Sequence, residues 1–143
     1  MPDPETPDRA AQVWRDLLAL VHERHDRRKE VCEALDLSFV RIKALRRLAG
    51  EPLTMRELAA RLQTDAPYTT LVVDDLEKRG LVRREPHPAD RRAKLVTATA
   101  RGRAEAARAE AIMTQPPPQM LALSAAELET LGDIVARLGE DSA

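Results

Sequence analysis

A mainly α-helical fold with one small β-hairpin, an α+β class, is what the sequence predicts. Three observations carry that prediction. Apolar residues recur at helical spacing along most of the chain, as Val13, Leu17, Leu20 and Val21 near its start and Leu128, Leu131, Val135 and Leu138 near its end. Helix-start signals recur as well: Ser38, Thr54 with Glu57, and Ser124 with Glu127 each place a hydroxyl where it can accept from a first-turn N–H. The period switches only around residues 81–97, where two short β-type runs flank a loop containing prolines.

With 143 residues the chain is long enough for one domain whose core needs no disulfide or metal. Trp14, Phe39 and Tyr68 are its only aromatics, so that core must be built from Leu, Val, Ile and Ala. The formal charge is -1, so any case for a nucleic-acid partner has to come from local charge. The one cysteine, Cys32, excludes an internal disulfide framework and a multi-cysteine zinc site, and suits a reducing cytoplasm. Apolar runs are too short for a membrane span, and the polar, acidic start is unlike a signal peptide. Arginine outnumbers lysine 19 to 4, which points to a GC-rich, bacterial genome.

Taken in order, residues 1–8 hold three prolines and read as a disordered arm. Residues 9–36 read as one long N-terminal helix, capped by Asp8, with a one-sided apolar stripe that Trp14 and Leu18 widen and a highly charged second half. Such a helix needs a surface to lie on, and a second subunit is a natural one. Ser38 caps the next helix, with Phe39, Ile42, Leu45 and Leu48 or Ala49 inward, stopped at Gly50 and Pro52. Thr54 caps a third, with Leu58, Ala59 and Leu62 inward. Pro67 opens a fourth, where its missing N–H costs nothing, and Gly80 ends it. Residues 81–85 and 94–97 then read as strands joined by Pro86–Arg92. A fifth helix covers 100–114, Gln115–Gln119 interrupts it, and a last helix runs to about Leu138. The expected division is an arm (1–8), an N-terminal dimerisation helix (9–36), a lobe (37–99) and C-terminal dimerisation helices (100–143).

Helix, short turn, helix and then a hairpin with a basic tip is the winged helix-turn-helix order. The major groove of DNA admits one α-helix, a preceding helix braces it, and a hairpin beyond can reach the adjacent minor groove. Residues 79–94 contain six basic and two acidic side chains, a local charge of +4 in a chain whose total is -1. The stretches Leu53–Leu62, Val73-Asp-Asp-Leu-Glu-Lys-Arg-Gly-Leu-Val82, Pro88-Ala-Asp-Arg-Arg92 and Ala98-Thr-Ala-Arg-Gly102 resemble the MarR family of bacterial transcriptional regulators. The resemblance spans about residues 9–139. It implies a winged helix-turn-helix lobe on a helical dimerisation region, a homodimer on a pseudo-palindromic operator, and release by a small-molecule effector or an oxidant. It also implies that Arg91 or Arg92 enters the minor groove and that Asp90 holds the wing arginine. Arg83, Arg84, His87 and Lys94 complete the expected wing surface.

The expected recognition helix departs from the family pattern. Thr69, Val72, Val73 and Leu76 share one face and should be core; Pro67, Tyr68, Thr70, Leu71, Asp74, Asp75 and Lys78 lie outward or at the edge. The DNA-contacting set is read as Pro67, Tyr68, Thr69, Thr70, Leu71 and Asp74. Family members often carry arginines where Leu71 and Asp75 stand. Residues 65–78 instead sum to -3. Asp74 or Asp75 could accept from a cytosine amino group or orient a wing arginine, and Leu71 could pack on a thymine methyl.

Cys32 reads first as a packed thiol, although Arg28 and Lys29 could activate it if exposed. His22 and His25 share a helix face, but no metal set is expected. By the family's layout an effector cleft would draw on Trp14, Leu18, Phe39, Ile42, Arg46 and Met113. The sequence offers no phosphate loop and no catalytic triad, so no enzyme and no cofactor are expected. The function read here is a DNA-binding regulator in the cytoplasm, a ligand-responsive repressor whose partners are double-stranded DNA, a second copy of itself and a small effector, with no membrane. The alternative is a winged-helix module whose acidic helix binds a protein.

Overall fold

The computed structural model describes residues 3–141. The expected disordered arm therefore lies partly outside the described residues, and where it is described it is shorter than expected, because α1 (Thr6–Ala19) begins within it. Pro7 presets a helical φ in the first turn, and Asp8 sits inside that turn facing the positive helix end, so it does not act as the cap. The single helix expected over residues 9–36 is divided. A π-helical turn (Leu20–Arg24) follows α1 and ends at His25, and α2 (Arg27–Leu35) restarts behind Asp26, whose carboxylate accepts from the Lys29 N–H at 3.0 Å. The charged run from His22 to Asp26 has no apolar side chain to hold a continuous stripe, and an aspartate cap competes with helix continuation there.

α3 (Phe39–Gly50) is capped by Ser38 and supplies the centre of the core. A two-residue strand β1 (Leu53–Thr54) comes next, too short to reveal a period in the sequence. α4 (Met55–Leu62) starts at Thr54, which accepts from the Glu57 N–H at 3.1 Å. α5 (Ala66–Lys78) is capped by Asp65 through the Tyr68 N–H. Gly80 takes a left-handed φ of 77°, so that the Leu81 N–H can return to the Leu76 carbonyl at 3.0 Å and close the helix. β2 (Val82–Pro86) and β3 (Lys94–Ala98) form the hairpin, each within a residue of its expected span. β1 adds to the other edge of β3, giving the antiparallel order β1-β3-β2 with Leu53 opposite Val96 and Arg84 opposite Val96 on the far side. α6 (Ala100–Thr114), a short α7 (Pro118–Leu121) and α8 (Ala125–Leu138) complete the chain, and α8 has the full Ser124–Glu127 capping box.

The core is aliphatic, as the composition required. Ile42, Leu45 and Leu48 of α3 meet Leu58 and Leu62 of α4, Val72, Val73 and Leu76 of α5, and Val82 and Val96 of the hairpin. Each such side chain contributes about 1.5–3 kcal/mol by leaving water. α6 is locked to this lobe at Gly102: a Cβ there would lie 1.9 Å from the Leu81 carbonyl oxygen. Thr99 fixes the same junction, its hydroxyl donating to the Gly80 carbonyl at 2.8 Å while it accepts from the Gly102 N–H at 3.0 Å.

α1 and α8 are different. Neither has a buried residue among those described, and both leave large apolar side chains in water: Val13, Trp14, Val135 and Leu138 are all about half exposed or more. Among the described residues no helix is long and apolar enough to cross a membrane.

Candidate nucleic-acid interface

α4 braces α5, and the inner face of α5 is the one the spacing identified: Thr69, Val72, Val73 and Leu76 are buried. Thr69 was expected both in the core and among the DNA contacts, and only the first holds. Its hydroxyl donates to the Asp65 carbonyl at 2.7 Å and is 2.7 Å from the Thr64 hydroxyl, which leaves it nothing to offer outward. The outer face presents Pro67, Tyr68, Thr70, Leu71 and Asp74. Leu71 is 55% exposed at the middle of that face. The Thr70 hydroxyl turns back to the Ala66 carbonyl at 3.0 Å.

The acidity of this helix is internally matched. Asp75 accepts from Arg41 Nε of α3 at 2.8 Å and from Arg79 Nε at 3.1 Å. Burial raises the Asp75 carboxyl, but the hydrogen bond from Arg41 and the charge of Arg79 outweigh it and hold the group below the usual carboxylate range. Arg79 also donates to the Asp36 carbonyl at 2.8 Å, tying α5 to the end of α2. Asp74 and Glu77 both pair with Arg84 of β2, at 2.5 Å and 2.9 Å, and Glu77 also accepts the Arg84 N–H. Of the two roles the sequence left open for Asp74, orienting a wing arginine is the one the geometry fits.

Arg84 therefore leaves the expected DNA-facing wing set. Its side chain is only 19% exposed and it anchors the hairpin base to α5. Arg83 is exposed but paired with Glu85 at 2.6 Å. His87 shapes the loop, its Nδ1 accepting from the Ala89 N–H at 3.0 Å. Asp90 holds the wing arginine by its backbone: Oδ1 accepts from the Arg92 N–H at 3.0 Å. Arg91, Arg92 and Lys94 are exposed and form no ion pair among the described residues. Arg41 was not foreseen as part of this surface's support. It lies 34 residues from Asp75 in sequence, and no local spacing signals that pairing.

The six residues expected to line one effector cleft do not come together. Ile42 is fully buried core, and Phe39 is half-buried beneath the Arg28 guanidinium, 3.9 Å from the ring centre. Trp14 borders a groove of about 550 Å³ between α1 and α8. Arg46 pairs with Glu110, reaches the Met113 sulfur at 3.5 Å, and borders a separate groove of about 630 Å³ between α3 and α6 with Lys43, Arg47 and Arg103. Leu18 is exposed on α1. Cys32 is half-buried behind the Arg41–Asp75–Arg79 network, and burial pushes its thiol up despite the charge of Arg28, which disfavours the reactive thiolate.

Residues 35–93, from the end of α2 through the wing loop, match the model of the MarR family. Wild-type MarR from E. coli in its apo form is 28% identical, with a TM-score of 0.67 over 87% of this chain and 96% of that one. YusO from Bacillus subtilis is 21% identical, with a TM-score of 0.78 over 99% and 100%. A MepR–DNA complex from S. aureus is 19% identical, with a TM-score of 0.63 over 89% and 98%.

Proposed function

We propose that the chain is a MarR-family transcriptional regulator that binds double-stranded DNA as a homodimer, a reading supported by the family match over residues 35–93. The single observation that supports this most is the sorting of charge on the lobe. Every carboxylate on the body of α5 is matched by an arginine of the same lobe, whereas Arg91, Arg92 and Lys94 at the wing are left to solvent. An acidic recognition helix would repel phosphates only if its charges were free. Here they are spent on orienting the helix and the hairpin, and the unmatched cations stand where a minor groove would meet them. The same pairing weighs against the rival reading, in which an acidic helix face recruits a protein. MepR, a fold relative, was solved with DNA.

Dimerisation is supported by the exposed apolar faces of α1 and α8. A helix with such a face is not stable in water without a partner surface. Of the expected division, with 9–36 and 100–143 as dimerisation segments and 37–99 as the DNA-binding lobe, this contrast supports the dimerisation part for α1 and α8 alone, because α2 and α6 bury Val31, Leu35, Ala106 and Ala109 in the core of the lobe. Two lobes so joined would present two α5 helices to half-sites about 34 Å apart. Repression in the cytoplasm, without catalysis, and relief by a small effector complete the proposal. An effector would act by its different affinity for DNA-competent and incompetent lobe spacings. The reading is tested by titrating duplex DNA over salt with wild type and with the Arg91→Ala, Arg92→Ala double variant. The proposal expects weaker binding and a salt slope shallower by about 2 per subunit in the variant; unchanged affinity and slope would refute the wing's part in it.

A further inference from the structure

The outer face of α5 has a further property once its hydrogen bonds are assigned. Thr70 is satisfied by the Ala66 carbonyl, Asp74 by Arg84, and Asp75 by Arg41 and Arg79. Thr69 is buried. Over the first two turns of the helix, the part that enters a major groove deepest, the side chains still uncommitted are Pro67, Tyr68 and Leu71. Pro67 and Leu71 are four residues apart, so they stack on one face a turn apart. Leu71 is 55% exposed at its centre, and nothing in the lobe packs over it. The one methyl group that projects from a base pair into the major groove is the 5-methyl of thymine, and it suits such a surface; the donors and acceptors that the other bases present there would be desolvated against Leu71 without a partner.

Resting on the reading that the chain binds duplex DNA through α5 and the wing, we infer that Leu71 is a specificity-determining residue that selects a thymine by its methyl group. The helix reads shape and apolar contact, and the wing supplies the charge. An operator half-site then contains one position at which thymine is preferred over all other bases, and that preference belongs to Leu71.

The experiment uses the full-length chain and a duplex selected by it from a random pool. Each thymine in turn is replaced by deoxyuridine, which keeps every hydrogen-bonding group and removes only the methyl. With wild type, one replacement per half-site lowers affinity about fourfold, the effect expected for losing one methyl from apolar contact. With Leu71→Ala, whose site is exposed and helical, the same replacement has no effect. A position that is sensitive in both proteins, or no sensitive position at all, overturns the inference while leaving DNA binding intact. Failure of wild type to retain any duplex in the selection overturns the DNA-binding reading itself, and the inference with it.

Discussion

Asp75 is a carboxylate on a surface proposed to face phosphates, and its surroundings explain why it is tolerated there. Arg41 and Arg79 hold it charged, and it holds them in place, joining α5 to α3 and to the end of α2. Asp75→Asn keeps the shape and removes the charge. It should cost about 1–2 kcal/mol at neutral pH by chemical denaturation, since the carboxylate is only partly screened. The sign with pH is set by the lowered pKa in the folded chain. The stabilisation is complete above the ordinary carboxylate value, about pH 4, and disappears as pH falls through the lower folded value. The gap between wild type and Asp75→Asn should therefore be constant from pH 5 to 8 and close below about pH 4; a gap that instead widens in acid would contradict the pairing. At this scale the sequence was legible where a residue simply faces outward: Leu71, Arg91 and Arg92, read as outward-facing, are exposed. Arg41, Arg84 and the buried Thr69 were not legible, because what decides them is a partner ten or more residues away or a backbone carbonyl of the preceding turn.

Among the elements, the junction between hairpin and α6 is the most demanding. Gly102 has no room for a methyl group against the Leu81 carbonyl, and that oxygen belongs to backbone fixed by the Gly80 turn. Gly102→Ala should lower stability by about 3 kcal/mol or prevent folding, whereas Gly50→Ala, which meets open space, should be neutral or slightly stabilising. Thermal melts of the two variants side by side check this, and equal melts would contradict it. The elements with strong caps and aliphatic stripes were readable in the sequence: α3 behind Ser38, α5 closed by Gly80, and α8 behind its capping box all stand as expected. The N-terminal helix was not, because its charged middle gives no stripe, and a π-helical turn with an aspartate cap divides what propensity alone would continue. β1 escaped notice because two residues show no period; it becomes a strand only by pairing with β3.

At the level of the whole molecule, the lobe is closed and the two terminal helices are not. α1 and α8 bury nothing among the described residues, and their apolar side chains form the surface on which a second copy is proposed to lie. Val135→Glu puts a charge into that face without touching the lobe. It should convert a dimer to a monomer in sedimentation while preserving the helical circular dichroism of the lobe; a wild type that sediments as a monomer would contradict the proposed dimer. The expected effector cleft was the least legible feature, since its six residues are dispersed here: Ile42 lies in the core, Trp14 borders one groove, Arg46 borders another and Leu18 is exposed on α1. The central claim is that this chain grips duplex DNA through two wings joined by one dimer. It is met most directly by titrating the purified full-length chain, over a range of salt, against the DNA upstream of its own coding region and against an unrelated duplex. The account predicts tight binding to the first that weakens steeply with salt, and much weaker binding to the second. Equal, weak binding to both down to low salt would contradict it.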